Sequence, residues 1–242
     1  MTLGVSRFLV QKEGYEVFEC EDSISVHLGR RRFAIADGAT EGYRSRFWAR
    51  YLTAVWVKSN IDPHEVGAIV TCLQSAGQRL NIASKDRELP WFLETKARRG
   101  SFATFLGLAI DDEGRCKAVA VGDCCLMLED ADGFQDAFPI SDPTKFGNTP
   151  HLVSSEMRDS QIFSETVEQW STQRRPGLRL SLMSDALAKW FLQYAISDRQ
   201  LHLDFQFAVE TSCQETFEHF IANERQNQRL RNDDVALLQL RF

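Results

Sequence analysis

The sequence has no apolar run long enough to cross a membrane. The apolar stretch around Phe105–Ile110 has only the length of a strand, whereas a membrane helix needs roughly 18 apolar residues. The N-terminal stretch MTLGVSRFLVQKEG lacks the basic start, long apolar run and small-residue cleavage site of a secretory leader. None of the six cysteines forms a Cys-x-x-Cys pair, and the adjacent Cys124 and Cys125 lie in an apolar run that favours buried, reduced thiols. We therefore expect a cytoplasmic protein.

Sequence motifs of several enzyme classes are also missing. There is no Gly-x-Ser-x-Gly elbow, no Walker loop and no Gly-x-Gly-x-x-Gly turn. No cysteine is followed by an arginine six positions later, which excludes the nucleophile loop of cysteine-dependent phosphatases. The five histidines lack zinc-ligand spacing, and the run Leu128–Pro139 has the wrong residues at the first and last positions of a calcium loop. Any chemistry has to come from other side chains.

Charge and composition narrow the class of protein further. Asp and Glu number 34 against 28 Lys and Arg, and the net charge of −6 argues against nucleic acid or an anionic membrane as a partner. The chain is 43% hydrophobic and 26% charged, close to globular averages. Its 242 residues contain no repeat and no Pro/Gly/Ser-rich linker. We expect a single domain over residues 1–242, and a monomer.

Hydrophobic periodicity predicts strands near both ends of the chain and in its middle. Alternating Ile24, Val26 and Leu28 indicate a first strand, which turns at Gly29–Arg30 into a second strand ending at Asp37–Gly38. The C-terminal run DVALLQLRF is almost wholly apolar, which predicts a central strand. The middle of the chain predicts a meander and then another buried strand, from the segments SFATFLGLAI, RCKAVAVGD, CCLMLE and LRLSLMSD.

Helical spacing predicts several helices between these strands. The helix SRFWARYLTAVWVKS is expected to bury one stripe of side chains, formed by Phe47, Tyr51, Leu52, Val55 and Trp56. A second helix is expected from Pro63 to about Ala83, with Asp62 as its cap. Further helices are expected at ALAKWFLQYAI and at roughly Ser212–Gln226, and Pro139–Asp159 is expected to be a mobile loop. This order of elements predicts an α+β fold of antiparallel sheets flanked by helices.

Acidic side chains recur where the predicted strands begin or end. They are Glu21, Asp22, Asp37, Asp123, Asp185, Asp233 and Asp234. If these strands are neighbours, the carboxylates converge at one edge of the core, where they repel one another unless protons or cations neutralise them. Oxygen ligands of this kind select Mg²⁺, Mn²⁺ or Ca²⁺. The pattern by itself is equally compatible with acids that only form turns and caps.

Six segments resemble the metal-dependent protein phosphatase family, the type 2C serine/threonine phosphatases, and especially its small stand-alone bacterial members. They are ECEDS at 19–23, FAIADGA at 33–39, GSFATFLGL at 100–108, AVGDCCL at 120–126, LSLMSDAL at 180–187 and NDDVALLQL at 232–240. Each segment alone is a weak signal, whereas six in the family's order and spacing are a strong one. The resemblance implies a four-layer αββα sandwich, in which two antiparallel sheets pack face to face and helices cover the outside.

The resemblance also implies a site for two divalent ions, Mn²⁺ or Mg²⁺. Asp37 would bridge the two ions, and Glu21 and the Gly38 carbonyl would complete the protein ligands of one of them. Asp185 and Asp233 would hold the other ion.

Two further acids complete the implied site. Asp22 would orient metal-bound water, so that Asp22 and Asp37 are the predicted catalytic residues, and Asp123 would lie where some members bind a third ion. The implied reaction is the hydrolysis of phosphoserine or phosphothreonine in a phosphorylated protein, by a hydroxide that bridges the two ions.

The chain departs from the family pattern where the phosphate would bind. The stretch Tyr15–Cys20 lacks the arginine that commonly grips the phosphate, so the phosphate-binding residue is unknown. The candidate substitutes are Arg44, Arg46 and Arg30–Arg32, the last three of which fit an exposed hairpin better. Ala39 stands where many eukaryotic members carry a histidine proposed as general acid. Two alternatives therefore stay open: a catalytically weak pseudophosphatase that acts as a regulatory or binding domain, and a hydrolase of small phosphate esters.

Overall fold

Two antiparallel sheets lie at the centre of the protein in a computed structural model that describes residues 3–40, 42–84, 96–97, 99–147, 149–156 and 163–242. The strands are β1 (Gly4–Val10), β2 (Ser23–His27), β3 (Arg32–Gly38), β4 (Phe102–Ile110), β5 (Arg115–Val121), β6 (Cys125–Asp130), β7 (Gly133–Phe138), β8 (Val153–Ser154), β9 (Glu168–Gln173), β10 (Arg179–Met183) and β11 (Val235–Arg241). The helices used below are α1 (Ser45–Lys58), α2 (Val66–Ser84), α3 (Asp185–Trp190), α4 (Arg199–Glu210) and α5 (Gln214–Gln226).

The strands divide between a five-stranded and a six-stranded sheet. The five-stranded sheet has the order β1-β11-β10-β6-β7. In the six-stranded sheet β2-β3-β4-β5-β9 are neighbours in that order, and β8 pairs with β4. Because β1 pairs with β11 from Gly4↔Arg241 to Val10↔Val235, strands from both ends of the sequence lie side by side in one sheet.

Three apolar clusters separate four layers. Alternation along β3 sends Phe33 and Ile35 between the sheets, where they join leucines of β10 and β11. The intervening Ala34 and Ala36 face the opposite way, and their small side chains let α1 pack closely on that sheet. On the outer face of the five-stranded sheet, aromatic side chains of α3, α4 and α5 cover it, among them Trp190, Phe205 and Phe217. The predicted α+β fold, a four-layer αββα sandwich of two antiparallel sheets, is confirmed.

The predicted face of α1 is partly wrong. Leu52 and Trp56 are buried as expected, but Phe47 is 44% exposed. Trp48 is fully buried instead, and its indole Nε1 donates to the Val153 carbonyl at 2.8 Å. The buried face is shifted by one residue because α1 packs toward β8 as well as β3, which places Trp48 between them.

The predicted start of α2 is also wrong. The helix begins at Val66, and Asp62 caps a separate turn in which its carboxylate accepts from the His64 amide at 2.9 Å. The other carboxylate oxygen of Asp62 binds the Lys117 ammonium at 2.5 Å, which links this turn to β5.

The strands predicted as a meander do form, but not in one sheet. The chain leaves the six-stranded sheet at the end of β5 and enters the five-stranded sheet at the start of β6. The connection Gly122–Cys124 therefore crosses from one sheet to the other. The elements β1, β9 and α4 were not predicted from periodicity.

The remaining predictions concern loops and membrane spans. The segment Pro139–Asp159 contains a short helical turn at Pro143–Lys145 and the strand β8, while positions 148 and 157–159 lie outside the described residues. No helix in the described part of the chain has the length and apolarity needed to span a membrane.

Candidate metal centre

The register of the six-stranded sheet places Asp22 beside Asp37. Ser23 at the start of β2 pairs with Ala36 of β3, so the next opposed positions are Asp22 and Asp37. Asp37 in turn pairs with Thr104 of β4. Asp22 is fully buried and Asp37 is partly buried, so two carboxylates meet at this end of the sheet.

The five-stranded sheet contributes a second pair of acids at the corresponding end. Ser184 continues the pairing of β10 with β11, since its amide donates to the Ala236 carbonyl at 3.1 Å and its hydroxyl accepts from the Ala236 amide at 2.9 Å. Asp185 directly follows Ser184, and Asp233 lies two residues before the start of β11, so the two acids emerge at the same edge. Ser184 thus fixes the point at which β10 ends and α3 begins.

A glycine turn brings the fifth acid to this edge. Gly122 has a φ of +94°, and a Cβ there would lie 2.5 Å from the His151 carbonyl oxygen. Glycine is therefore required for the tight crossing between the sheets. The turn leaves Asp123 only 5% exposed and between the two pairs of acids.

Gly38 holds the loop that carries Glu21. The Gly38 amide donates to the Glu21 carbonyl at 3.3 Å, and a Cβ at Gly38 would lie within 3.0 Å of backbone atoms of both Glu21 and Ser45. The Glu21 carboxylate accepts from the Thr40 hydroxyl at 2.6 Å and lies 3.7 Å from the Lys12 ammonium. The backbone at Gly38 is thus packed too tightly for a larger residue.

These groups surround one open cavity of about 450 Å³. Its lining includes Glu21, Asp37, Gly38, Asp123, Asp185 and Asp233, together with Thr40, Arg231 and Asp234. Of the predicted site residues, only Asp22 is absent from the lining, because its side chain is fully buried.

The carboxylates act strongly on one another. Burial raises the pKa of Asp37, and the charges of Asp185, Asp123 and Asp233 raise it further. Burial followed by repulsion from Asp37 raises the pKa of Asp22. Burial and the charge of Asp185 raise the pKa of Asp123 to about 7. Repulsion of this kind is relieved when a cation enters the site.

The donor set fits a divalent cation, although its side chains are not arranged around one. Neither carboxylate oxygen of Asp22 has a hydrogen-bond partner among the described residues, although both are buried. Carboxylates, a carbonyl and buried oxygens without partners suit Mg²⁺ and Mn²⁺. In the described part of the chain, no three acidic, histidine or cysteine side chains are already gathered as a bound ion requires.

Two residues outside the predicted set hold this edge together. Arg231 donates from one guanidinium nitrogen to Asp185 at 2.8 Å and also to Asp233. Asp234 accepts from the backbone amides of Lys12 and Glu21, at 2.8 Å in each case. In the sequence, Asp234 is one of the acids at predicted strand ends, whereas Arg231 is marked only by its place two positions before Asp233 in the run RNDD.

None of the arginines suggested as phosphate ligands lines the cavity. Arg32 is buried against the Trp56 ring, 4.1 Å from its centroid, and Arg31 pairs with Asp112. Arg44 and Arg46 line a neighbouring cavity of about 330 Å³, which touches the acidic one at Glu21 and Thr40.

The chain belongs to the protein phosphatase 2C family, whose sequence pattern it matches over residues 18–232. No curated protein sequence gives a significant match. Among solved structures, the fold is similar to the photosystem II phosphatase PBCP (TM-score 0.65, 15% identity, covering 100% of this chain and 99% of the other). It is also similar to the serine/threonine phosphatase PstP/Ppp of Mycobacterium tuberculosis (TM-score 0.65, 14% identity, covering 100% of this chain and 99% of the other). A third similar structure is the catalytic domain of PstP in complex with two manganese ions (TM-score 0.64, 13% identity, covering 99% of this chain and 97% of the other).

Proposed function

We propose that this protein is a Mn²⁺- or Mg²⁺-dependent phosphatase that hydrolyses phosphoserine and phosphothreonine in phosphorylated proteins. The observation that carries the proposal is the position of Asp37, a carboxylate whose pKa is raised first by burial and then by the charges of Asp185, Asp123 and Asp233. A single residue surrounded by like charges from both sheets is the natural bridge between two cations. The family membership and the manganese ions of the similar PstP catalytic domain support this proposal.

The proposed ligands fall into two groups that share Asp37. Glu21 and the Gly38 carbonyl would hold one ion with Asp37, while Asp185 and Asp233 would hold the second. When bound, such ions supply a hydroxide for attack on phosphorus at neutral pH and neutralise charge on the phosphoryl oxygens.

The remaining acids position solvent and a further ion. Asp22, which is buried beside Asp37 and does not line the cavity in this structure, would orient metal-bound water only once its carboxylate is reached from the cavity; both of its oxygens lack a hydrogen-bond partner among the described residues. Asp123 would contribute to a third ion position. The cavity is open to solvent and large enough for a phosphate monoester. We also propose that residues 1–242 form one domain, since β1 and β11 pair along their length.

The test is hydrolysis of p-nitrophenyl phosphate and of a phosphothreonine peptide, with Mn²⁺ and with EDTA. We expect metal-dependent activity that falls by at least about 100-fold in Asp37→Asn, because loss of a ligand exceeds the 10- to 100-fold effect of an outer partner. Asp132→Asn is the matched control, since it removes an equal charge in the exposed β6–β7 turn. Activity that survives in Asp37→Asn would show that the site is misassigned.

A pseudophosphatase is the second candidate function. Two observations favour it: Arg231 already binds Asp185 and Asp233, and none of the suggested phosphate-binding arginines lines the cavity. A wild-type protein that stays inert toward both substrates at saturating Mn²⁺ would establish this alternative. Turnover of p-nitrophenyl phosphate without turnover of the peptide would instead indicate a hydrolase of small phosphate esters.

A further inference from the structure

The guanidinium of Arg231 lies where two carboxylates of the cavity are aimed at one point. The nitrogen Nη2 of Arg231 donates to Oδ2 of Asp185 at 2.8 Å and to Oδ2 of Asp233. A single positively charged nitrogen therefore bridges the same two acids that we propose as ligands of the second metal ion.

Backbone contacts fix the direction of both carboxylates. Oδ1 of Asp185 accepts from the Ala186 amide at 2.6 Å, and Oδ1 of Asp233 accepts from the Asp234 amide at 3.0 Å. Each acid thus uses one oxygen on the backbone that follows it and presents the other oxygen to Arg231. In this structure both Oδ2 atoms contact the same nitrogen of the Arg231 guanidinium.

The pair differs from an ordinary surface ion pair. The Asp185 side chain is only 13% exposed, whereas that of Arg231 is 56% exposed. The carboxylate is built into the protein and the guanidinium approaches it from the solvent side. Arginine also keeps its proton at any physiological pH, so Arg231 can leave the pair only by moving away.

A turn anchors the backbone of Arg231 beside the acids. Its carbonyl accepts from the Asp233 amide at 2.9 Å, in a tight turn just before β11. Among the described residues that line the cavity, Arg231 is the one with a cationic side chain. Arg231 also lines the neighbouring cavity beside Lys189 and Leu230.

We propose that Arg231 is a resident counter-ion of the Asp185–Asp233 pair, and that a divalent ion binds this pair only by displacing the guanidinium. The inference rests on the proposed function, because it takes Asp185 and Asp233 to be metal ligands. It makes the two ion positions unequal. The position at Glu21, Asp37 and Gly38 binds its ion more tightly, and the position at Asp185 and Asp233 binds its ion more weakly.

The test is calorimetric titration of Mn²⁺ into the full-length protein without substrate. We expect the wild type to bind one ion tightly and a further ion weakly, and Arg231→Gln to tighten the weak step by about tenfold or more. Arg199→Gln is the matched control, because it removes an equal charge from an exposed position in α4 and should bind as the wild type does. Arg231→Lys keeps the charge beside the acids and should keep the second step weak.

The outcomes separate this inference from the proposed function. Arg231→Gln that binds Mn²⁺ as the wild type does, or more weakly at the second step, overturns the counter-ion role while leaving the metal site in place. Absence of Mn²⁺ binding in the wild type and in Arg231→Gln overturns the metal site and the inference together. Thermal unfolding of each variant tests whether it is folded. If Arg231→Gln does not fold, Arg231→Lys decides the question: a second Mn²⁺ bound by Arg231→Lys as tightly as the first would overturn the proposal.

Discussion

The carboxylate of Asp234 accepts a hydrogen bond from the backbone amide of Glu21 at 2.8 Å. This bond joins the start of β11 in one sheet to the loop before β2 in the other. Its other oxygen accepts a hydrogen bond from the Lys12 amide, also at 2.8 Å, two residues after the end of β1. Asp234 is 5% exposed, so these charge-assisted hydrogen bonds are shielded from water. Glu21 is thus positioned by a residue that itself is not a proposed ligand.

Asp234→Ala is expected to destabilise the protein and to weaken metal binding together. It leaves two backbone amides without acceptors, and losing two hydrogen bonds to a charged group lowers the free energy of unfolding by about 3–6 kcal/mol. Urea unfolding measures the stability, and calorimetric titration of Mn²⁺ measures the affinity.

Asp234→Asn separates the two effects. The amide oxygen keeps one acceptor, whereas the amide nitrogen faces the other backbone amide and cannot accept from it, so this variant should lose part of the stability that Asp234→Ala loses. Mn²⁺ affinity that is equal in wild type, Asp234→Asn and Asp234→Ala would show that Asp234 does not position Glu21.

Asp22→Asn should stabilise the metal-free protein while impairing its response to metal. The wild-type carboxylate is fully buried, and burial followed by repulsion from Asp37 raises its pKa. Replacing it with a neutral isostere removes that repulsion, worth about 1–2 kcal/mol or a rise in Tm of roughly 2–8 °C.

Thermal unfolding with and without Mn²⁺ tests this expectation. The Tm of the wild type should rise when Mn²⁺ is added, and the Tm of Asp22→Asn should rise by less. A metal-free Asp22→Asn protein that melts below the wild type would contradict the electrostatic account of this position.

Gly38→Ala is expected to damage both the fold and the site. The new Cβ would lie 2.9 Å from the Ser45 carbonyl carbon and 3.0 Å from the Glu21 carbonyl oxygen, which are backbone atoms that cannot rotate away. Relief of that overlap costs about 1–3 kcal/mol and moves Glu21. Both the urea midpoint and Mn²⁺ affinity should fall.

Gly67→Ala is the matched control for Gly38→Ala. Gly67 lies in α2, and no atom lies within 4 Å of a Cβ built there. The substitution should raise stability by about 0.5–1 kcal/mol, because alanine favours the helix, and should leave Mn²⁺ affinity unchanged. If both glycine variants behaved alike, crowding at Gly38 would not be the cause.

Glu129→Ala is expected to reduce stability without affecting the metal centre. Glu129 is fully buried at the far end of β6 from Asp123, 3.0 Å from the His202 Nε2 and 3.1 Å from the Gln206 amide nitrogen, both of α4. Its removal leaves polar groups between the sheet and α4 without partners, which lowers the free energy of unfolding by about 3–5 kcal/mol. Urea unfolding should show this loss, whereas a change in Mn²⁺ affinity larger than about twofold would refute the separation of the two regions.

Local sequence pattern predicted the sheets and most helices because each element has its own apolar period. β3 shows this well, since Phe33 and Ile35 alternate with Ala34 and Ala36 between the two faces of the sheet. The pattern was misread where tertiary contacts decide. Trp48 is buried because the Val153 carbonyl accepts its indole proton, and nothing in the spacing of α1 indicates that partner.

The positions of the acids were determined by the sequence alone. Asp22, Asp37, Asp123, Asp185 and Asp233 adjoin strands whose ends follow from the apolar periodicity, and antiparallel pairing brings such ends together. What they face was decided only by the tertiary structure. Arg231 at Asp185 and Asp234 at Glu21 are contacts across 46 and 213 positions of the chain, made between groups that no local period relates. The balance of charge at this edge depends on these contacts, and they form only once the two sheets have packed together.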